Sequence, residues 1–435
     1  MHYVFIVMLA LSAVVAGGAP AQDASPLTHM MELNRSGKWE SAAELAQRFL
    51  DNNPKKSNDE RCEAYYHLAY AQTRLGLTEK AQATLVTYER KCQDIGSSHW
   101  LFREVARLRE ELAPRNVPPP VRDDEFWRTS DPATLNVNIS TLESHRRLCE
   151  RTGADACLVI RRGKIVQEFY SARYRVPMFA MSSTKSITGL LVGMLIDDGK
   201  IKSVNEPVCK YIPEWCARRR SKVTLRHLLT MTSGLPRMFD EGVASTNDKN
   251  RLVIGLSPSR EPGTAWAYSN EGVQLLSPIL DKAAGEPIQD YALKRLFRPL
   301  GMSDTRLHLD EKGHAWTYAD METTPRDLAR IGLLMLNKGV WQGRRIVSAS
   351  WVEQSIRRSQ EFEPGYGLLW WLYDRPKGYA ALGHLNTNLY VFPEQELIVV
   401  RMQSKPLDQQ VPYEPEALRL FDQLIRHEKL SASRR

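Results

Sequence analysis

The sequence predicts an α+β fold built in two units. A small all-helical unit comes first, and a larger unit follows in which strands from both ends share one sheet packed by helices. Three observations carry this reading. Residues 26–113 are helical in pattern. The stretch ACLVIRRGKIVQEFY at 156–170 is an apolar hairpin turning at Arg162-Gly163, and NLYVFPEQELIVVRM at 388–402 supplies late strands. Between the units, residues 114–125 are rich in proline, which favours an extended, stiff linker. A chain of 435 residues is also too long for one compact core.

Residues 1–21 read as a secretory signal. Tyr3 to Ala16 is apolar and uncharged, and Ala19-Pro20-Ala21 supplies the small residues of a cleavage site after Ala21. The alternative is an uncleaved anchor, but the apolar run is short for a bilayer. No transmembrane anchor is therefore expected after cleavage, and the protein is expected in the periplasm or outside the cell. The cysteines fit export: there are six, with no CxxC zinc pair. Cys62 and Cys92 lie nearly symmetrically about Gly76-Leu77, so a helical hairpin turning there would set them face to face. Cys209 and Cys216 are close enough to close a short loop, and Cys149 and Cys157 remain as a third pair. The alternative is buried free thiols.

The helical unit, 26–113, contains two similar segments. Gly37, Trp39 and Ala42 stand in one as Gly76 and Ala81 stand in the other, and small residues there let paired helices approach closely. This resembles the tetratricopeptide repeat, although the two glycines are 39 residues apart, against a usual period of about 34. A closing helix is expected over 99–112. The resemblance implies a docking surface for a protein partner; the alternative is a helical cap with no binding role.

The formal charge of +8 includes Arg218-Arg219-Arg220 and Lys222, a run that reads as a solvated loop. No nucleic-acid motif or interleaving of aromatics accompanies it, so no nucleic-acid partner is expected.

The larger unit, 126–430, holds the candidate chemistry. In MSSTKSITGLLVGMLI at 181–196, apolar residues recur at helical spacing from Ile187 onward, which places Ser182 at the helix N-terminus. Free N–H groups there stabilise an oxyanion. Lys185, one turn on, shares the face of Ser182, and a desolvated lysine can accept the hydroxyl proton. Further on, Tyr268-Ser269-Asn270 precedes another amphipathic run. A tyrosine near a lysine can become a phenolate and act as base or proton shuttle, and an asparagine beside it can bind a substrate carbonyl and steady the lysine.

Ser182-x-x-Lys185 with Tyr268-x-Asn270 resembles the serine β-lactamase and penicillin-binding-protein superfamily, within the branch of class C β-lactamases, esterases and 6-aminohexanoate-dimer hydrolases. TLRHLLTMTSGLP at 224–236, RPLGMSDT at 298–305, TPRDLARIGLLMLNKG at 324–339 and YGLLWW at 366–371 extend the likeness over about residues 140–425. The resemblance implies a β-lactamase-like transpeptidase fold, with an antiparallel sheet flanked by helices and a helical subdomain. It implies a serine hydrolase working through an acyl-enzyme without metal or cofactor. Ser182, Lys185 and Tyr268 would be catalytic; Asn270, His384, Asn386, Thr387 and Trp371 would meet the ester or amide substrate.

One place departs from the family pattern. Relatives carry Lys-Thr-Gly or His-x-Gly on an edge strand beside the serine. Counting back from Pro393, His384 takes the first position and Asn386 stands where the glycine is expected. A side chain there either narrows or blocks the cleft or adds an amide hydrogen bond to a particular substrate; in a second reading the alignment slips and the cleft is unaffected. Two alternatives follow: a catalytically degenerate binding module docked through the helical unit, and a cell-wall D,D-peptidase.

Overall fold

The computed structural model describes residues 25–53, 58–92, 101, 104–105, 108, 126–171, 177–238, 242–404 and 412–432. The expected signal, the linker and most of the helix expected at 99–112 lie outside them. No helix among the described residues is long and apolar enough to cross a membrane.

Four helices form the first unit: α1 (Pro26–Arg35), α2 (Trp39–Asn52), α3 (Asn58–Arg74) and α4 (Thr78–Lys91). Gly37 and Gly76 turn the two hairpins at φ 73° and 74°, the left-handed region a Cβ disfavours. Trp39, Phe49, Tyr66, Leu68, Ala81 and Leu85 pack the interior. The same core takes in Phe179, Met181 and Leu385 of the second unit, so the two units share apolar contact.

All three cysteine pairs are bonded: Cys62–Cys92, Cys149–Cys157 and Cys209–Cys216. Cys62–Cys92 staples α3 to the end of α4 and spans 30 residues of chain. Cross-linking a loop of that length restricts the unfolded chain. Replacing both cysteines by alanine is expected to cost about 3–4 kcal/mol, seen as an earlier unfolding transition of the helical unit in denaturant; an unchanged midpoint would refute it.

The second unit is built on one antiparallel sheet. Its strands are β1 (Ala156–Arg161), β2 (Lys164–Tyr170), β3 (Trp371–Asp374), β4 (Lys377–Ala381), β5 (Asn388–Phe392) and β6 (Leu397–Met402), in the order β2-β1-β6-β5-β4-β3. Strands from both ends of the unit thus meet at β1 and β6, Leu158 facing Val400. Side chains alternate along β1 as strand geometry requires. Ala156, Leu158 and Ile160 join one core, which includes α6 (Thr184–Asp197) and α7 (Pro325–Leu336). Cys157 and Val159 join another, which includes α5 (Ile139–Arg151) and α8 (Glu414–Ala432). The sheet is therefore the middle of three layers.

α6 is buried along Thr184–Leu195, as an apolar helix beneath a sheet must be. Thr324 caps α7, its hydroxyl accepting from the Asp327 N–H at 3.2 Å, with Pro325 at the first helical position.

The sequence expectation fails at one strand. The stretch after His384 is not at an edge: β5 lies between β6 and β4. Residues 384–386 are not strand at all but the turn joining β4 to β5.

Candidate active site

Ser182 sits in a single 3-10 turn, Met181–Ser183, that feeds α6. Met181 is held at φ 48°, a conformation unfavourable for a side chain and kept by its surroundings. Its carbonyl accepts from the Thr184 hydroxyl at 2.7 Å and the Asp320 N–H at 3.3 Å. The Ser183 hydroxyl donates to the Thr387 carbonyl at 2.6 Å, which ties the turn to the sheet. The flanking residues Met181, Ser183 and Thr184 are buried, whereas Ser182 is only half-buried. The hydroxyl is thus fixed and still reachable.

Lys185 is 2% exposed. Its Nζ donates to Ser182 Oγ at 3.0 Å and to the Tyr318 carbonyl at 2.7 Å. Burial lowers its pKa to about 7; Asp320 and Glu271 pull it back up, while Arg35 pushes it further down. An amine poised there is free to accept a proton at neutral pH.

The Tyr268 ring lies 4.8 Å from Lys185 Nζ. Its phenol behaves differently from the sequence expectation of a phenolate. Burial raises its pKa to about 12, only partly offset by a hydrogen bond with Ser182 and the field of Arg237. Tyr268 therefore holds its proton at neutral pH, because burial disfavours the phenolate more than its neighbours stabilise it.

Asn270 opens the short helix Asn270–Gln274 behind the cap of Ser269. Its Oδ1 is buried without a hydrogen-bond partner. The two acceptors that hold the Lys185 amine are Ser182 Oγ and the Tyr318 carbonyl, so the steadying role expected of Asn270 falls to a main-chain oxygen. Trp371, at the start of β3, stacks on Tyr268 at 6.2 Å and 20°. Trp266 and Tyr366 close edge-on around it, giving one wall of aromatic rings.

The turn after β4 contains a glycine at a close main-chain approach, Gly383. A Cβ there would lie 2.7 Å from the carbonyl oxygens of Ala180 and Thr387 and 3.1 Å from Met181 Cβ. Asn386 lies three residues on. It follows Leu385 in a left-handed pair, φ 59° and 55°, closed by the Thr387 N–H donating to the His384 carbonyl at 3.2 Å. The position reached by counting back from Pro393 therefore lies in a turn and not on a strand. His384 is exposed and Asn386 half-buried. Thr387, expected to meet substrate, is fully buried; its N–H closes the turn and its hydroxyl donates to the Gln403 carbonyl at 3.3 Å. Arg401, also fully buried, donates to the carbonyls of Leu385 at 2.7 Å and Asn386 at 3.1 Å, and so fixes the strained pair.

Gly383→Ala is expected to push the turn or the Ala180–Met181 segment aside, since both close contacts are main chain. A loss of about 1–3 kcal/mol in stability should accompany a fall of roughly 10–100-fold in turnover of an acyl ester. Wild-type turnover in the variant would show that the contact does not set the position of Ser182.

Comparison with known proteins agrees with this fold. The Beta-lactamase family profile matches residues 146–423. The 6-aminohexanoate-dimer hydrolase of Paenarthrobacter ureafaciens is 26% identical over 348 residues, covering 72% of this chain and 87% of that protein. Two solved structures share the fold at low identity. A penicillin-binding-protein homologue from Caulobacter crescentus has a TM-score of 0.55 at 14% identity, covering 67% of this chain and 98% of that one. A family VIII carboxylesterase has a TM-score of 0.54 at 17% identity, covering 66% and 97%. With more than half of its residues matched, the chain belongs to the Beta-lactamase family.

Proposed function

We propose that the protein is an exported serine hydrolase that cleaves an ester or amide through an acyl-enzyme on Ser182. The observation that carries this reading is the amine of Lys185, 3.0 Å from Ser182 Oγ and with its pKa brought down to about 7. In the first half-reaction Ser182 Oγ bonds to the substrate carbonyl carbon while its proton passes to Lys185. The backbone N–H of Ser182 and a second backbone N–H from the segment that begins at His384, at Thr387 or its neighbour, hold the oxyanion. Tyr268, protonated at rest, delivers a proton to the departing alcohol or amine, and is replenished from the Lys185 ammonium. Water then attacks the acyl carbon and gives its proton to Lys185, and the Lys185 ammonium returns a proton to Ser182 Oγ as the acyl–oxygen bond breaks. Asn270, whose side-chain oxygen lacks a partner, binds a donor group of the substrate. No metal or cofactor enters any step.

The rings of Trp371, Trp266 and Tyr366 beside Tyr268 favour an apolar group on one side of the scissile bond. His384 in place of the usual lysine weighs against recognition of a carboxylate, and so against a cell-wall D,D-peptidase. Against the inert binding module stands the intact set of Ser182, Lys185, Tyr268 and Asn270, with Lys185 Nζ 3.0 Å from Ser182 Oγ. Three disulfides suit an oxidising compartment, which supports export to the periplasm or beyond.

A fluorophosphonate probe is expected to label the folded protein covalently, and p-nitrophenyl acyl esters are expected to be hydrolysed. Protein that takes up no probe and cleaves no such ester would overturn the hydrolase reading.

A further inference from the structure

The helical unit reaches the surroundings of Ser182 from outside the hydrolase unit. α1 ends on Arg35, whose Nε lies 2.6 Å from Asp320 Oδ2. The Asp320 side chain is 1% exposed and that of Arg35 is 25% exposed. The guanidinium also lies over the rings of Trp316 and Tyr318, at 5.0 and 5.9 Å. Asp320 belongs to the short segment 318–322 against which Lys185 is set. Tyr318 gives its carbonyl to Lys185 Nζ at 2.7 Å, Asp320 its N–H to Met181, and Met321 its carbonyl to the Ala180 N–H at 2.7 Å. Glu322 ends the segment; it accepts from Tyr70 at 3.0 Å and Arg74 at 3.1 Å, both on α3. Trp39 and Tyr70 pack on Phe179, the residue before Ala180, with centroids 6.4 and 6.3 Å away. One face of α1–α3 is thus spent on the two segments that frame the nucleophile.

We propose that Arg35 is a positioning residue of the hydrolase site, neutralising Asp320 and fixing the 318–322 segment against which the Lys185 amine is set. The inference rests on the serine-hydrolase reading above. It gives the helical unit a part in the site itself.

The charges around Lys185 decide the sign of the effect. Asp320 and Glu271 carry negative charge toward it, Arg35 positive charge, and the rings of Tyr268 and Tyr318 flank it. Asp320 is in turn faced by Arg35, Lys249, Lys185 and Glu322. Without Arg35, Lys185 loses the positive charge that pushes its pKa down, and the ammonium form of the lysine is favoured. That form cannot accept the Ser182 proton. Removing Asp320 instead leaves Arg35 unopposed and favours the free amine.

The test is the pH profile of kcat/KM on a p-nitrophenyl ester, measured on the full-length folded chain. Arg35→Met is expected to move the acid limb up by about one pH unit, with activity recovering at higher pH. Asp320→Asn is expected to move it down by a similar amount. Arg35→Met combined with Asp320→Asn should return it to within about half a unit of wild type, and Arg35→Lys, which keeps the charge, should leave it there. Active wild type with an unmoved limb in Arg35→Met, or a loss equal at every pH that the double variant does not restore, overturns the inference alone. A wild type without hydrolysis at any pH overturns the hydrolase reading and this inference with it.

Discussion

Ser182→Ala is expected to abolish labelling by a fluorophosphonate and to lower hydrolysis of an acyl ester by roughly a thousandfold or more. The size follows from what the substitution removes. Oγ is the atom that bonds the acyl carbon in the proposed mechanism, and the one atom to which Lys185 Nζ donates at 3.0 Å within the cleft. Alanine leaves the backbone N–H of residue 182 in place, so binding and oxyanion stabilisation survive and a small residual rate remains. The turn should survive as well. It is held by the Thr184 hydroxyl, the Ser183 hydroxyl and the Asp320 N–H, none of which involves the Ser182 side chain. Mass spectrometry of the probe adduct, with turnover of the same preparation, checks the prediction. A variant that still labels would move the nucleophile elsewhere in the chain.

The parts of this protein that were legible in the sequence share one property: their partners are near in the chain or are marked by residue type. The hairpin at Arg162-Gly163, the cap at Thr324 and the cysteine pairs are of this kind. So are Ser182 and Lys185, one helical turn apart. That strands from both ends of the unit share one sheet was legible too, because such strands pair antiparallel without a crossover helix, whereas the strands at 371–374 and 377–381 and the order of the six were not.

What escaped was set by contacts with no local signature. The acceptor that holds Lys185 is the carbonyl of Tyr318, and a main-chain oxygen leaves no mark on residue type. Arg35 and Asp320 pair across the boundary between the two units, where neither periodicity nor spacing points. The segment from His384 was read as strand but is a turn, because Leu385 and Asn386 both adopt left-handed angles, held by the buried guanidinium of Arg401. Neither leucine in a left-handed turn nor arginine within a core strand would be chosen from propensity. The protonation state of Tyr268 was read with the wrong sign for a related reason. It depends on how dry the site is, and the dryness comes from packing that the sequence does not spell out.

Lys185→Met is expected to separate activity from stability. In the proposed mechanism neutral Lys185 is the proton acceptor, so wild-type kcat/KM should rise with pH around a midpoint near 7, the value to which burial brings its pKa. Above that midpoint the profile should stay flat, because the Tyr268 proton is held to about 12. In Lys185→Met the acid limb should vanish and kcat should fall by roughly 10²–10⁴-fold, the usual worth of a general base. Stability should move the other way. A lysine whose folded pKa lies below its unfolded value of 10.5 gives up stability as pH falls from the unfolded value toward about 7. Methionine carries no such penalty. Against that gain stands the Tyr318 carbonyl, which loses its donor, leaving a net rise of about 2–3 kcal/mol near pH 7. The gain should shrink as the pH is raised through the unfolded value of 10.5, above which wild-type lysine is neutral in both states. Denaturant midpoints at neutral and alkaline pH, read beside ester turnover, measure both effects. A variant that loses activity and stability together would mean that Lys185 serves the fold rather than the proton transfer.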